Sequence, residues 1–454
     1  MVTQLVFSGI DYDKLRTHLL QSTQTENAAY VIGGVSRSSN TLSLLAREVI
    51  IVPDEAFLKK GSAYLAISPV FIARVLKKCT PHNLSVILAH SHPFSDSCVG
   101  FSGIDDHGEE ILIPKVFERV PSAAHAAMVL GKSSVEARIW TGPTNVRPID
   151  RIKIVGKTLE VVELRKREDD EKSSHSERYS RQVLALGEDG QQKLHGLTVG
   201  IVGAGGIGSH VFQQVVHLGV GRVIILDFDA VEESNRSRLI GSAEGDSGTP
   251  KVEVLARLGR QINPQLQVEP IVGSVLDRSP VAKLLEADVI FCCTDTMGSR
   301  MVLNRIASQY LTPVIDTGID IDPKNGGIRA IGGRVMLLHP DGLCLDRFGV
   351  LNAAAVTAEF VDNLGVSRAG YIRGVDMPAP AVVSLNGVVA SLAVTRFLWM
   401  VTGVSNLDTE VFHMYDGKQG TVKAIRSSER KECEICSEVR AMGDNIGLPC
   451  RADR

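Results

Sequence analysis

The chain has 454 residues, 44% of them hydrophobic and 22% charged, which is the composition of a globular protein too long for one ordinary core, so about two or three domains are expected. A formal net charge of −3 leaves no general nucleic-acid footprint. The eight cysteines are scattered, with Cys292 and Cys293 adjacent, which excludes a secreted disulfide framework and points to thiol or metal roles in a reducing compartment. The N-terminus, MVTQLVFSGIDYDKL, lacks the basic and apolar regions of a signal peptide, so a cytoplasmic location is expected.

In chain order, Ala28–Val35 and Val49–Val52 read as short buried strands. Pro69–Cys79 reads as a helix, because Val70, Ile72, Val75 and Leu76 form a helical stripe. Ser85–Ala89 is an apolar strand that runs into His90-Ser91-His92, and Ala126–Leu130 is another, ended by Gly131. From Leu164 to Glu177 the chain reads LRKREDDEKSSHSE, too polar to bury a core, and is expected to be a linker. It divides the chain into parts of about 150 and about 250 residues, each within the domain range. The resulting division is residues 1–150, a linker over 151–176, a second domain over 177–427 and a cysteine-containing tail over 428–454.

Beyond the linker, Leu197–Val202 reads as a strand, Gly203–Gly208 as a turn, and Ser209–Leu218 as a helix. Arg222–Leu226 is the next strand, ending at Asp227, and Asp288–Cys292 a later one, ending near Asp295. This alternation predicts a mostly parallel sheet with helices on both faces. The apolar stretch Val382 to Val404, interrupted by Asn386 and Arg396, reads as a buried helix and not a membrane span. The fold class is α/β: an α+β N-terminal domain followed by a Rossmann-like, doubly wound domain.

Gly203-Ala204-Gly205-Gly206-Ile207-Gly208 fits G-x-G-x-x-G between a strand and a helix, where glycines tighten the turn and the helix N-terminus offers unpaired N–H groups to an anion. Asp227 follows at the end of the next strand, 19 residues past Gly208, where a carboxylate can accept from a ribose. Alone, the motif favours an NAD-dependent oxidoreductase.

The surrounding motifs are Arg178-Tyr179-Ser180-Arg181-Gln182, Asp227-Phe228-Asp229, Ser234-Asn235 with Arg238, Lys251, Ile262-Asn263-Pro264 and Cys293-Thr294-Asp295. In this order they resemble the ThiF/MoeB/HesA adenylyltransferases, relatives of the ubiquitin-activating enzymes, over about Glu177 to Lys423. A carboxylate that attacks an ATP α-phosphate must overcome charge repulsion, which calls for cations and a metal around the triphosphate. The resemblance implies ATP and Mg²⁺ as cofactors. It implies that Asp227 holds the ribose, that Asp229 belongs to the nucleotide-binding site, and that Asn235, Arg238 and Lys251 contact phosphates. Asp295 would bind Mg²⁺ directly or through water. Arg181 would insert into a neighbouring subunit's site, implying a homodimer. The plainer readings are a helix-start lysine at Lys251, surface charges at Arg178 and Arg181, and a helix cap at Asp295.

Two features depart from that family. Many relatives carry a thioester-forming cysteine before the late apolar helix, but Asp346 to Ala381 holds none, and the matching region reads Tyr371-Ile372-Arg373-Gly374-Val375-Asp376-Met377-Pro378. Relatives often bind structural zinc through two C-x-x-C pairs. Here Cys433 and Cys436 form one pair, whereas Cys344 stands with Arg347 in place of its second thiolate, leaving Cys450, His339 or Asp346 to complete a four-ligand shell.

In the first part, His90-Ser91-His92-Pro93 is followed by Ser102-Gly103-Ile104-Asp105. Two histidines and a later carboxylate can hold an ion and leave a position for water, as catalytic zinc requires. With the upstream Glu26, the pattern resembles the JAMM/MPN+ metallo-isopeptidases over about residues 5 to 140. The resemblance implies Zn²⁺ on His90, His92 and Asp105, Glu26 as general base, and Ser102 steadying the oxyanion. Nine residues separate His92 from Ser102 where the commoner spacing is seven, and Asp106 beside Asp105 leaves the ligand open by one position.

Together the halves imply one shared partner: a ubiquitin-like, β-grasp protein with a C-terminal glycine, trimmed or released by one half and adenylated by the other, as in bacterial conjugation systems, some antiphage. A downstream conjugating or sulfur-transfer protein is implied, with no nucleic-acid or membrane partner. The rival readings are activation of a sulfur carrier for thiamine, molybdopterin or cysteine synthesis, and a non-catalytic scaffold that binds nucleotide and a ubiquitin-like protein.

Overall fold

A computed structural model describes residues 1–62, 64–95, 97–165, 177–324, 327–342, 344–361, 380–405, 411–426 and 433–451. The chain divides into two compact units: Met1–Arg167 with Gln309–Leu311 and Glu438–Gly447, and Glu168–Ser308 with Thr312–Ser437 and Leu448–Arg454.

The first unit runs β1 Val2–Ser8, α1 Gly9–Leu19, β2 Ala28–Arg37, β3 Thr41–Ile51, β4 Phe57–Lys60, β5 Leu65–Ile67, α2 Pro69–Cys79, β6 Ser85–Ser91, α3 Gly103–Arg119, β7 His125–Leu130, β8 Val135–Trp140, β9 Val146–Pro148, β10 Arg151–Val155 and β11 Leu159–Glu163. Nine strands form one mixed sheet in the order β11-β10-β1-β3-β2-β6-β7-β8-β9. The period-2 alternation of β2 explains its burial on both faces. Ala29 and Val31 join a core with Leu15 and Leu19 of α1, whereas Ala28, Tyr30 and Ile32 join one with Val75 and Leu76 of α2 and Val116 of α3. The linker expected from residue 151 begins later, because β10 and β11 pair antiparallel at the sheet edge. Arg151 and Lys153 are buried in β10, and Arg151 Nε donates to Gln4 Oε1 at 2.7 Å, so charge there marks a strand and not a solvated tether.

The tail expected over 428–454 is split between the units. Pairing of β6 with β2 stops at Gly33, and the freed edge of β2 is taken by Glu438–Gly447. Gly34 N–H donates to Ala441 O, Val35 N–H to Asn445 Oδ1 and Arg37 N–H to Asp444 Oδ2, and Met442 is buried in the α2 core.

The second unit runs α4 Ser180–Gly196, β12 Thr198–Val202, α5 Gly206–His217, β13 Arg222–Asp227, α6 Lys251–Ile262, β14 Gln267–Val272, α7 Arg278–Leu284, β15 Val289–Cys292, α8 Met297–Gln309, β16 Val314–Lys324, β17 Gly327–Leu338, α9 Ala353–Val361, α10 Val383–Thr402, β18 Val411–Asp416, β19 Thr421–Arg426 and α11 Glu434–Glu438. Its sheet has the order β14-β13-β12-β15-β16-β17-β18-β19. The first five strands in that order are parallel, as a strand–helix alternation requires, and an antiparallel meander extends them. The chain leaves β12 toward β13 and β14, then returns to β15 on the other side of β12. That reversal opens a crevice at the carboxyl ends of β12 and β15, where open α/β sheets place ligands. Helix α10 is long and apolar enough to cross a membrane by length and composition. It packs on α5, β16 and β17, with Phe397 against Phe291 of β15 at 5.6 Å between ring centroids.

Candidate functional site

The crevice of the second unit is built by the strand ends. Gly203 leaves β12 with φ +95°, and a Cβ on it would lie 2.7 Å from Cys293 O. A Cβ on Gly208 would lie 1.8 Å from Gly203 O, so α5 can start against the turn only with glycine at both places. Asp227, at the end of β13, clamps this turn: its Oδ2 accepts from Ala204 N–H at 2.6 Å and its Oδ1 from Asp229 N–H at 2.8 Å. Burial raises its carboxyl pKa against those two bonds. Each oxygen keeps a lone pair for a further donor.

Asp229 in turn accepts from Lys251 Nζ at 2.8 Å, and Lys251, at the start of α6, is buried. Arg238 donates to Ser234 O at 2.8 Å, and its Cδ lies 3.7 Å from a Cβ placed on Gly206, over the first turn of α5. Asn235 is held in a capping box with Glu232. Asp295 is exposed, two residues past Cys293, whose N–H donates to Val202 O. Gly205 faces open space. The glycine turn, Asp227, Asp229, Asn235, Arg238, Lys251 and Asp295 are therefore gathered on the carboxyl ends of β12, β13 and β15 and the connections that leave them. Arg181 is exposed on the first turn of α4, on a separate element. The arrangement presents a positive, N–H-rich cradle beside acidic groups, which suits a polyphosphate with a divalent cation.

The sequence profile of the ThiF family matches residues 179–436. The chain belongs to the ThiF family. Among similar proteins, the SAMP-activating enzyme of Haloferax volcanii is 34% identical over 171 residues, which are 37% of this chain and 60% of that enzyme. The molybdopterin-synthase adenylyltransferase of Escherichia coli is 29% identical over 268 residues, 58% of this chain and 96% of that protein. The sulfur carrier protein ThiS adenylyltransferase of Escherichia coli is 26% identical over 261 residues, 57% of this chain and 94% of that protein. Among solved structures, Escherichia coli MccB with ATP superposes with a TM-score of 0.46 at 20% identity, over 58% of this chain and 76% of that one.

Two features set this ThiF-family chain apart. The region with no cysteine, Tyr371 to Pro378, lies outside the described residues. Cys292 is fully buried and Cys293 is pushed up to about 12 by burial, so neither is poised as a thiolate. Cys344, Cys433 and Cys436 do converge, with their sulfurs within 4.8 Å of one another. Cys433 Sγ is 3.5 Å from Asp346 Oδ2, and Asn304 Nδ2 donates to Cys344 Sγ at 3.4 Å. The Cys436 thiol holds Cys344 below the usual thiol range. Of the three residues expected to complete this shell, Asp346 is at the cluster. Cys450 Sγ instead lies 4.0 Å from Val275 O, and the His339 ring lies against Gly342. Three thiols and a carboxylate fit a tetrahedral zinc ion.

In the first unit, β6 carries His90 between its partners β2 and β7, and His92 follows with its N–H on Leu130 O at 2.8 Å. Helix α3 delivers Asp105 through a capping box, in which Ser102 Oγ donates to Asp105 Oδ2 at 2.7 Å. The Ser102 hydroxyl expected at an oxyanion is thus committed to Asp105. Asp105 lies 3.2 Å from His90 Nε2 and 3.5 Å from His92 Nε2, and Glu26 Oε1 lies 3.6 Å from His92 Nε2. Asp106 faces away and pairs with Arg138 at 2.6 Å, which selects Asp105 of the two neighbours. Burial pushes Glu26 up to about 7, with His92 opposing. Burial also acts to raise Asp105, but the facing imidazoles outweigh it and hold the carboxyl well below the usual range. His90 Nε2 is buried and makes no hydrogen bond of good geometry among the described residues. A buried ring nitrogen without such a bond, beside a second imidazole and a carboxylate, fits a metal ion.

Asn386 of α10 escaped the sequence reading, which took it only as an interruption of an apolar helix. Its side chain sits on the first turn of α5. A lone buried amide in an apolar stretch was the available signal.

Proposed function

We propose that the second unit adenylates the C-terminal carboxylate of a small ubiquitin-like or sulfur-carrier protein with ATP and Mg²⁺. The observation that carries this reading is the gathering of the glycine turn, Arg238, the Lys251–Asp229 pair and Asp295 at the β12/β15 crevice. The names of the archaeal and bacterial relatives support the same partner class. In this reading the cations offset repulsion between carboxylate and α-phosphate, Asp295 serves the metal, and Arg181 completes the site of a second subunit in a homodimer. Pyrophosphate exchange into ATP, dependent on a partner ending in glycine, tests it. Stoichiometric NAD binding without exchange would overturn it. A thiocarboxylate product would assign sulfur transfer, and a protein adduct would assign conjugation.

The first unit supports a second activity, metal-dependent hydrolysis of the same partner's precursor or conjugate in the manner of JAMM/MPN+ isopeptidases. His90, His92 and Asp105 would hold zinc, which when bound makes water a stronger acid. Glu26, which lies 3.6 Å from His92, would accept the proton. The full-length protein should lose one zinc equivalent, and cleavage of a ubiquitin-like fusion, on His92→Ala substitution. Unchanged zinc content would remove His92 from the site.

A further inference from the structure

Helix α10 is apolar along most of its length, yet Asn386 is only 3% exposed. Its Nδ2 lies 2.1 Å, and its Cγ 3.0 Å, from the point where a Cβ on Gly206 would stand. The amide therefore occupies the side-chain space of the first residue of α5. Arg238 Cδ approaches the same point at 3.7 Å, so two nitrogen-bearing side chains meet beside Gly206. The approach of α10 is fixed by its neighbours. His210 of α5 hydrogen-bonds the backbone of Val383, and a Cβ on Gly387 would lie 3.3 Å from the His210 ring.

Burying an amide is costly unless it finds a hydrogen-bond partner, and a helix that needed only to pack would carry an aliphatic residue here. The amide nitrogen lies against Gly206, the residue that opens α5. An amide donor and an arginine beside a helix N-terminus can together receive a tetrahedral anion. We propose that Asn386 donates to the nucleotide phosphate seated on the N-terminus of α5, beside Arg238. This rests on the ATP reading of the crevice and adds a contact from α10, the helix that follows the connection beyond α9.

Binding of ATP and of adenosine, each with Mg²⁺, to the full-length protein by calorimetry tests the assignment. Asn386→Asp keeps the shape and replaces the donor with a charge that repels phosphate. Asn386→Leu removes the donor and keeps the packing. We expect ATP affinity to fall about 10- to 100-fold for the first and about 10-fold for the second, with adenosine affinity within about twofold of wild type in both. Equal losses for ATP and adenosine, or ATP affinity within about twofold of wild type in both variants, would overturn the assignment. A wild-type protein that binds NAD but not ATP would instead overturn the adenylation reading, and this contact with it.

Discussion

Lys251 Nζ stands 2.8 Å from Asp229 Oδ2, so the cation expected on a triphosphate is held by a carboxylate of its own crevice. In the proposed reading, a phosphate entering the turn competes with Asp229 for Lys251. Lys251→Ala should lower pyrophosphate exchange by about 10²-fold or more, the usual scale for removing one charged donor from a reacting phosphate site. The same change should cost only about 1 kcal/mol of stability, since Asp229 is partly exposed and screened. A melting temperature that collapses together with exchange would make Lys251 a structural residue.

Gly208→Ala places a methyl group 1.8 Å from Gly203 O, a contact no rotamer relieves. The substitution should cost at least about 1–3 kcal/mol and abolish nucleotide binding, because the turn and α5 must part to admit it. Urea unfolding and ATP titration on the same preparation read both effects. Gly205→Ala, which faces open space in this structure, should preserve stability.

His125 is fully buried, with Nδ1 accepting from Val86 N–H and Nε2 donating to Val120 O, both at 3.0 Å. Burial pushes its pKa down to about 4. The folded value lies below the unfolded value near 6.5, so the unfolded chain binds more protons between the two. Stability is then full above about pH 6.5 and is lost as pH falls through that window. The loss should reach about 2 kcal/mol by about pH 5. Urea midpoints at the two pH values should show it, and His125→Gln, which cannot be charged, should flatten the difference.

Cys344, Cys433, Cys436 and Asp346 predict one zinc ion per chain beyond that assigned to His90, His92 and Asp105. Elemental analysis should find it, and Cys433→Ser with Cys436→Ser should remove it. Asp346→Ala should weaken retention against a chelator, whereas Cys450→Ser should leave it unchanged. Retention unaffected by Asp346→Ala would assign the fourth position to another group.

Legibility followed burial chemistry. Helix α2 falls at Pro69–Cys79 as the apolar stripe predicts, and β6, β12, β13 and β15 fall where short apolar runs end at Gly, Asp or His. Helix α1 buries only Tyr12, Leu15 and Leu19, too sparse a stripe to read, and α3 carries Pro114 inside and a buried Glu109, both of which break a helical pattern. Strand β10 hid behind Arg151 and Lys153, whose burial depends on partners across the sheet that one sequence does not reveal. The metal-type clusters were readable as residue types, but the choice of Asp105 over Asp106 needed Arg138, which draws Asp106 aside from 32 positions away. Asn386 was visible as an oddity, and its place beside Gly206 needed the crossing of α10.

The segment Glu438–Gly447 completes the edge of β2, a strand made some four hundred residues earlier. On the ribosome, the N-terminal sheet must wait with Gly34, Val35 and Arg37 unpaired until almost the entire polypeptide has emerged, so its final locking follows translation of the second unit. Any excision of the histidine-bearing half for separate production would need this late piece supplied, by fusion or in trans, to reach its native state.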